Sequence, residues 1–318
     1  MDVPAWPHRH LLDADGLSRD ELETVMSLAE QMAEARASRE PLALLRGRQL
    51  TTLFYEASTR TRVSFEVAAR ALGAEVDTVS VSLSSVTKGE SLVDTVRTLE
   101  ALGTDLLVMR HSRSGAPYLA ARHARGSIVN AGDGWHAHPT QALLDLFTLR
   151  RRLPGRSVAG RRIVIVGDLL RSRVARSNIW TLTAAGANVV LCAPRALLAG
   201  FESWAGALPP DRQLSVTDDL ESALRGADAV MALRIQRERD AGSGLPSVAD
   251  YVAGYGLSAS RLREAKPEVL LMHPGPVNEG VEVTAEVANG ASSLILEQVA
   301  NGVPVRMAVL ALLARGAA

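Results

Sequence analysis

Two patterns of hydrophobic and polar positions alternate along most of the chain. Short apolar runs rich in β-branched residues are typical of strands, and segments with apolar residues every three or four positions are typical of helices. The first pattern predicts strands within 49–55, 75–79, 105–109, 128–130, 161–168, 188–194, 228–233 and 268–276. The second predicts helices at 18–38, 61–72, 91–102, 118–123, 140–152, 174–185, 218–227 and 293–315, the last with a break near Pro304.

The alternation of strands and helices predicts parallel sheets with right-handed crossovers. A polar stretch with Pro and Gly, RRLPGRSVAGRR, interrupts the alternation after residue 150. At 318 residues the chain is long enough for two domains. We therefore expect two doubly wound α/β domains that divide near residues 140–155 and bind ligands at the carboxyl ends of their strands.

Composition excludes several classes of function. The chain is 47% hydrophobic, with formal net charge +0 and pI about 7.1, so its overall charge does not favour nucleic acid or an anionic membrane surface. The N-terminus has no signal-peptide pattern, and no window of about 18 apolar residues predicts a membrane span. Cys192 is the single cysteine, which excludes an intrachain disulfide and suits a reducing cytoplasm.

The most informative polar stretch is FYEASTRTRVSFE, where a predicted strand leads into a predicted helix. Ser58, Thr59, Arg60 and Thr61 lie at the mouth of that helix. A helix N-terminus presents free N–H groups and the positive end of its dipole. Capping alone requires one hydroxyl, so this concentration of hydroxyl and guanidinium groups predicts a phosphate site.

Two other cations follow predicted strands in the first half. Lys88 lies in the polar loop SSVTKGES and is one of two lysines in an arginine-rich chain. Arg110 directly follows a strand in VMRHSRSG, which places its guanidinium beside residues 58–61 if the two strands are neighbours. Each could equally be a solvated surface charge, so the residues alone leave both as candidates.

The stretch HAHPTQALLDLFTLR places His138 and Gln141 at the start of a predicted helix. His136 and His138 suggest a metal, but no Glu or Cys stands at ligand spacing and there is no HExxH pattern, so we exclude a metal centre. A neutral imidazole that donates to a carbonyl oxygen fits a phosphate site better. We expect His138 at the site and His136 at the surface.

A different set of donors follows the strands of the second half. IVIVGDLLRSRVARS begins like a dinucleotide fold, but Gly167 stands alone where G-x-G-x-x-G is required, so we exclude a dinucleotide cofactor. Arg171, Arg173 and Arg176 follow this strand. Arginine binds carboxylates with bidentate geometry, so these residues predict a carboxylate site.

Two later loops complete the candidate chemistry. Arg234 and Gln236 follow a strand in MALRIQRERD, and the backbone carbonyls of Pro274 and Gly275 in LMHPGPVNEG are candidate acceptors for an ammonium group. No Ser-His-Asp or Cys-His nucleophile pattern is present. Phosphate donors in one half and carboxylate donors in the other predict direct transfer between two bound anions.

Taken in order, these motifs resemble the catalytic chain of the aspartate carbamoyltransferase family. The matching stretches, from about His10 to the end, are FYEASTRTRVSFE, SSVTKGES, MRH, HPTQALLDLFT, GDLLRSRVARSN, LRIQRER, HPGPVNEGVEV and QVANGVPVRMAVLALL. The resemblance implies a carbamoyl phosphate-binding domain (1–140 and 297–318), an aspartate-binding domain (141–296) and an active site in the cleft between them. It implies carbamoyl transfer to L-aspartate through a tetrahedral intermediate, without a covalent enzyme intermediate, as the committed step of pyrimidine biosynthesis.

The resemblance also implies a role for each polar residue. The residues expected to bind carbamoyl phosphate are Ser58, Thr59, Arg60, Thr61, Ser84, Arg110, His138 and Gln141. Those expected to act in catalysis are Arg60, Thr61, Lys88, Arg110 and His138, while Gln141 would hold the carbamoyl NH2. Those expected to bind aspartate are Lys88, Arg173, Arg234 and Gln236, with backbone contacts from Pro274 and Gly275.

The family's known assembly implies a homotrimer without a metal or cofactor. In the family, the loop that carries Ser84 and Lys88 enters the active site of the neighbouring subunit, so the sites are shared. The family also assembles with regulatory chains or with dihydroorotase, and the sequence does not indicate whether this chain does.

Two positions depart from the family pattern, and two other functions compete. Gly275 stands where some members carry a bulkier residue, and Glu279 stands where related loops often have a basic one, so we expect Glu279 to point away from the substrate. Ornithine carbamoyltransferases resemble this chain but typically have HCLP and a methionine-glycine acceptor loop, where this chain has HPGP and LRIQRER. A catalytically silent scaffold would not require Lys88, His138 and Arg234 together.

Overall fold

The computed structural model describes residues 1–81, 85–236 and 246–316. Its contacts divide the chain into two compact units: unit 1 is Met1–Phe147 with Val299–Ala318, and unit 2 is Thr148–Gln298. Each unit contains one parallel β-sheet with helices between successive strands. The prediction of two parallel-sheet α/β domains is therefore confirmed.

The described ranges contain both β-strands and α-helices. The strands are β1 Gln49–Phe54, β2 Glu75–Ser80, β3 Leu106–His111, β4 Ser127–Asp133, β5 Arg162–Val166, β6 Asn188–Cys192, β7 Gln213–Thr217, β8 Ala229–Ala232 and β9 Leu270–Met272. The α-helices are α1 Arg19–Ala37, α2 Thr59–Ala71, α3 Leu92–Ala101, α4 Ala116–His123, α5 Pro139–Arg152, α6 Arg173–Ala184, α7 Phe201–Ala207, α8 Leu220–Leu224, α9 Val248–Tyr255, α10 Ala259–Leu262, α11 Ala285–Ala288 and α12 Ile295–Gly316.

The strand order of each sheet points to one crevice per unit. Unit 1 has the order β2-β1-β3-β4 and unit 2 the order β7-β6-β5-β8-β9. The direction of winding reverses between β1 and β3 in unit 1, and between β5 and β8 in unit 2. Doubly wound sheets bind ligands at such reversals, beyond the carboxyl ends of the strands. The segments that follow these four strands are therefore expected to form the ligand-binding sites.

The first helix begins where its capping signal predicts. The Ser18 hydroxyl accepts a hydrogen bond from the Glu21 amide at 3.2 Å, and a Glu21 carboxylate oxygen accepts one from the Ser18 amide at 2.7 Å. This reciprocal pair satisfies two N–H groups that the helix itself cannot. The face of α1 that carries Leu22, Val25 and Met26 is buried in unit 1.

The N-terminal segment covers the β4 edge of the unit 1 sheet. The Leu11 amide donates to the Ile128 carbonyl, and the Asn130 amide donates to the Leu11 carbonyl, both at 2.9 Å. The Asn130 side chain adds a 2.8 Å bond to the Leu12 carbonyl. These bonds pair the polar groups of an edge strand that would otherwise be open to association.

Gly167 has a packing role in unit 2. It follows β5 with φ +133°, a conformation that favours glycine, and a Cβ there would lie 2.5 Å from the Leu233 carbonyl oxygen. The absence of a side chain therefore allows the chain leaving β5 to lie against the chain leaving β8. This close approach explains an isolated glycine in a loop that lacks the dinucleotide pattern.

The last helix corrects one prediction. α12 continues from Ile295 to Gly316 with Pro304 in its interior, so the expected break near Pro304 was wrong. The residues after the proline, including Val305, Leu310 and Leu313, are buried, and their burial offsets a local cost of about 3 kcal/mol. By length and composition α12 is also apolar enough to cross a membrane, but 67% of that window is buried inside the protein. We therefore interpret α12 as a core helix.

Candidate active site

The residues 58–61 lie at the N-terminus of α2, directly after β1. Ser58 is the N-cap residue, and its side chain makes no capping hydrogen bond in the described structure. Thr59 and Arg60 are exposed, whereas Thr61 is buried. The first turn of α2 contains no acidic residue, so the positive end of the helix dipole is not neutralised locally. This geometry suits an anion that accepts backbone and hydroxyl hydrogen bonds.

Arg110 stands beside this helix start. β1 and β3 are neighbours, as the prediction for Arg110 required, and Arg110 pairs in register with Phe54. The Tyr55 amide donates to the Arg110 carbonyl at 2.8 Å, so the pairing continues past the end of β1. The Arg110 guanidinium lies 3.4 Å from the Glu56 carboxylate, measured from Nε to Oε2. Arg110 and the α2 N-terminus therefore both follow the two strands at which the unit 1 sheet reverses.

His138 and Gln141 lie at the start of α5, and both side chains are buried. The Gln141 amide donates to the His138 carbonyl at 3.0 Å. Gln141 Nε2 donates to Asp145 Oδ1 at 2.9 Å, which orients the side-chain amide. The oxygen Oε1 then faces away from Asp145 and is an acceptor for an NH2 group.

A buried cation of α12, Arg306, is influenced by the Asp145 charge. Arg306 of α12 is buried, and its guanidinium lies 4.9 Å from the centre of the Phe65 ring. Burial lowers the pKa of Arg306 to about 10, and the Asp145 charge opposes that shift. Asp145 therefore serves two groups, the Gln141 amide and the Arg306 charge. Sequence reasoning missed both Asp145 and Arg306, because each looks like one polar residue in an apolar helix.

Replacing Asp145 with alanine is expected to destabilise the protein by about 1–3 kcal/mol. The change leaves the buried Gln141 Nε2 donor without its acceptor and removes the negative charge that favours the Arg306 cation. Thermal unfolding at a fixed protein concentration measures the effect. The double variant Asp145→Ala, Arg306→Met removes both charges and should recover part of the loss. Equal midpoints for the single variant and the unchanged protein would contradict the interpretation.

A second buried carboxylate, Asp133, holds the loop that leads to His138. Its oxygens accept bonds from the Gly115 amide at 2.6 Å, the Ala137 amide at 3.1 Å and the Asn130 side chain at 2.8 Å. His136 Nδ1 lies 3.2 Å from Asp133, and His136 Nε2 lies 3.1 Å from Asp13. Hydrogen bonds to these two carboxylates raise the pKa of His136 to about 10. His136, expected at the surface, is a partly buried anchor of this loop.

The loop after β2 contributes two other predicted residues. Ser84 lies outside the described residues. Lys88 ends a short 3-10 turn, Ser85–Lys88, and its side chain is exposed. Within the single chain, the Lys88 side chain is therefore exposed to solvent.

The three arginines after β5 have different environments. Arg171 is 1% exposed and donates to Asp168 at 3.1 Å, so it belongs to a buried ion pair. Arg176 donates to the Leu170 carbonyl at 3.3 Å, and its guanidinium lies 5.3 Å from the centre of the Trp204 ring. Arg173 is the first residue of α6, at the carboxyl end of β5. Arg171 and Arg176 thus have structural contacts.

The loop after β8 is tied to the loop after β5. The Gln236 amide donates to Asp168 at 3.2 Å, and Gln236 Nε2 donates to the Arg171 carbonyl at 3.3 Å. Arg234, which precedes this contact by two residues, is partly buried. Arg173 and Arg234 therefore follow the two strands at which the unit 2 sheet reverses.

The loop after β9 contains both departures from the family pattern. Gly275 has φ +70°, in the region that favours glycine, and its amide donates to His273 Nδ1 at 2.8 Å. Pro274 is partly buried. Glu279 is exposed.

Family models match both halves of the chain. The model described as aspartate/ornithine carbamoyltransferase, carbamoyl-P binding domain, matches residues 9–151, and the model described as aspartate/ornithine carbamoyltransferase, Asp/Orn binding domain, matches residues 159–313. The chain belongs to the aspartate/ornithine carbamoyltransferase family. The first model spans β1 to β4 of this carbamoyltransferase chain, and the second spans β5 to β9.

Individual members of the carbamoyltransferase family are similar over nearly the whole chain. The aspartate carbamoyltransferase catalytic subunit of Roseiflexus sp. (strain RS-1) is 54% identical, over 98% of each chain. That of Chloroflexus aurantiacus (strain ATCC 29366 / DSM 635 / J-10-fl) is 52% identical, over 95% of this chain and 97% of the relative. Aspartate transcarbamoylase from Trypanosoma cruzi in complex with N-(phosphonacetyl)-L-aspartic acid is 33% identical, with a TM-score of 0.84 over 95% of each chain. The same Trypanosoma cruzi enzyme with carbamoyl aspartate and phosphate gives 30% identity and a TM-score of 0.82, over 98% of each chain.

Proposed function

We propose that this chain transfers the carbamoyl group of carbamoyl phosphate to the amine of L-aspartate, giving N-carbamoyl-L-aspartate and phosphate. This reaction is the committed step of pyrimidine biosynthesis. The observation that carries the proposal is the distribution of donors: residues 58–61 with Arg110 follow β1 and β3 in unit 1, and Arg173 with Arg234 follow β5 and β8 in unit 2. The names of the relatives at 52–54% identity favour aspartate as the acceptor.

Unit 1 supplies the groups that bind carbamoyl phosphate. Ser58 and Thr59 bind the phosphate at the N-terminus of α2. Arg60 and Thr61 bind the phosphate and also polarise the carbonyl oxygen. Each oxyanion donor contributes about 2.7–4 kcal/mol to stabilisation of the transition state. Gln141, oriented by Asp145, accepts from the carbamoyl NH2.

Two further donors act on the carbonyl oxygen. Arg110 approaches from the end of β3, and His138 from the start of α5. In the role proposed here, the His138 imidazole is neutral and donates a hydrogen bond.

Unit 2 supplies the groups that bind the acceptor. Arg173 and Arg234 bind the two carboxylates of aspartate, and Gln236 supports them. Guanidinium groups suit this task because their planar donors match a carboxylate in pairs. The backbone carbonyls of Pro274 and Gly275 accept from the amine or the carbamoyl nitrogen.

The chemical step is a direct transfer. The deprotonated amine attacks the carbonyl carbon, a C–N bond forms, and a tetrahedral oxyanion develops. The bond from that carbon to the phosphate oxygen then breaks, and phosphate leaves with the electron pair. The departing phosphate is itself a base for the amine proton, so no side chain is assigned to that role. Alignment of the two reactants supplies about 7–11 kcal/mol of the reduction in the barrier.

The active assembly in this proposal is a cytoplasmic homotrimer with shared sites. Two anionic substrates repel each other, so the reaction needs cations beyond those that bind each one. Lys88 is exposed in its own chain, and the family resemblance directs the loop of Lys88 into a neighbouring subunit. Lys88 is therefore proposed to complete the site of the next subunit.

An acceptor assay tests the proposed function. With carbamoyl phosphate present, aspartate should be carbamoylated and ornithine should not, because two arginines select a second carboxylate. Product formation is measured for each acceptor at equal concentration. Faster carbamoylation of ornithine would refute the choice of acceptor, and no turnover with either would favour the silent scaffold.

A further inference from the structure

The carboxylate of Glu282 joins two separate loops of unit 2. Glu282 Oε1 accepts a hydrogen bond from the Ile235 amide at 2.8 Å, and Oε2 accepts one from the Asn278 amide at 2.9 Å. The Asn278 side-chain amide donates a third bond, also to Oε1, at 2.8 Å. Glu282 is only 1% exposed. Its carboxylate is therefore buried and held by three N–H donors.

The two loops are those to which acceptor binding is assigned. Ile235 stands between Arg234 and Gln236 in the loop after β8. Asn278 follows Pro274 and Gly275 in the loop after β9. A single carboxylate therefore links the backbone beside the acceptor-binding side chains to the loop that carries the acceptor-facing carbonyls.

Glu282 is itself fixed to the rest of unit 2. Its carbonyl accepts from the Leu257 amide at 2.9 Å, and the Thr284 amide donates to the Leu257 carbonyl at 3.0 Å. These bonds anchor the segment around Glu282 to the chain between α9 and α10. The Glu282 carboxylate therefore connects both loops to this anchored segment of unit 2.

The three bonds require a carboxylate rather than an amide. All three partners are N–H donors, and both carboxylate oxygens are used. A glutamine has the same shape, but its NH2 group would face an N–H donor whichever way the amide is turned. An unsatisfied buried donor then weakens at least one of the two loop contacts.

We propose that Glu282 is a positioning residue for the acceptor: it sets Arg234 and Gln236 relative to the carbonyls of Pro274 and Gly275. This inference rests on the proposed function, since it concerns how the same site recognises aspartate. It assigns to Glu282 no contact with substrate and no proton transfer.

The test is the kinetics of Glu282→Gln in the full-length protein. The KM for aspartate should rise about tenfold to hundredfold, the range expected from the loss of a hydrogen bond to a charged group. The dissociation constant of carbamoyl phosphate should stay within about twofold, because its proposed ligands are in unit 1. Glu279→Gln is the matched control, since Glu279 is exposed and three residues away, and its kinetics should be unchanged.

A second variant keeps the proposal testable if Glu282→Gln does not fold. Asn278→Ala removes the side-chain donor but keeps the backbone bond, and it should raise the KM for aspartate by about threefold to tenfold. A merely structural role would lower thermal stability without a selective change in aspartate KM, and that result overturns the inference. If the unchanged protein fails to carbamoylate aspartate, the proposed function fails; if it succeeds and the variants keep its aspartate KM, only this inference fails.

Discussion

Replacement of Arg60 by alanine lowers kcat by about 10²–10³-fold, the loss measured when one donor to a developing oxyanion is removed. Arg60 is exposed in the first turn of α2, where helix dipole and hydroxyl groups already favour an anion. The guanidinium is proposed to bind the phosphate in the ground state and the carbonyl oxygen as charge develops on it. The loss should therefore fall mainly on kcat, because the transition state carries more charge at that oxygen.

Steady-state kinetics with carbamoyl phosphate and aspartate, each varied at saturating levels of the other, measure this effect. Arg62→Ala is the control on the same helix: Arg62 is exposed and lies 3.7 Å from Glu66, so its loss should change kcat by less than about threefold. Equal effects of the two substitutions would show that general positive charge on α2, and not Arg60, matters. Comparison of the thermal unfolding midpoints of both variants with that of the unchanged protein separates a loss of stability from a loss of catalysis.

Two inactive variants, Lys88→Ala and His138→Ala, are expected to regain activity when their subunits are exchanged. Each variant by itself should be nearly inactive, because every site of the proposed homotrimer then lacks one essential group. If Lys88 acts in the neighbouring site, random trimers from an equal mixture contain about a quarter of their sites with both groups intact. The mixture should therefore recover activity on the order of a quarter of that of the unchanged protein.

Activity after subunit exchange, followed over time and compared with unmixed controls, measures this recovery. An equal mixture of Lys88→Ala with the unchanged protein should keep about half of the full activity before and after exchange, so it controls for activity lost during the exchange procedure. If exchange is complete by mass measurement and the mixed variants stay inactive, Lys88 and His138 act from the same chain. That outcome would remove the shared site and leave the proposed reaction itself untouched.

Local sequence signals predicted most elements of the fold. The capping pattern of Ser18 and Glu21 located the start of α1, and β-branched runs located the strands of both sheets except β7. β7 was missed because Gln213–Thr217 is short and polar, and none of its residues is fully buried. The helices α7, α9, α10 and α11 were also missed. At four to eight residues such helices give little helical periodicity, so short helices were found unevenly: α4 and α8 were predicted and these four were not. Pro304 caused the opposite error, a predicted helix break that the structure does not have. Burial of the residues around it outweighs the low helix propensity of proline.

The sequence indicated the candidate site residues whose chemical type is itself the signal. It did not indicate the residues whose role depends on which groups they hydrogen-bond in the fold. Hydroxyl and guanidinium groups after predicted strands marked residues 58–61 and Arg234. The carboxylates that hold the loops were not recognised, because a buried Asp or Glu shows its role only through the N–H groups it accepts from. Asp133 and Glu282 accept from residues up to 47 positions away in sequence.

The sequence by itself determined the fold class, the candidate anion-binding groups and the resemblance to carbamoyltransferases, because propensity, periodicity and motif order are local properties. The tertiary structure decided which strands are neighbours. That order places Arg110 beside β1 and brings the loop after β5 against the loop after β8. It also decided that Arg171 and Arg176 serve the fold and that His136 is an anchor. These outcomes depend on pairings between distant segments, whose free energy comes from burial and hydrogen bonds that exist only once the chain is folded.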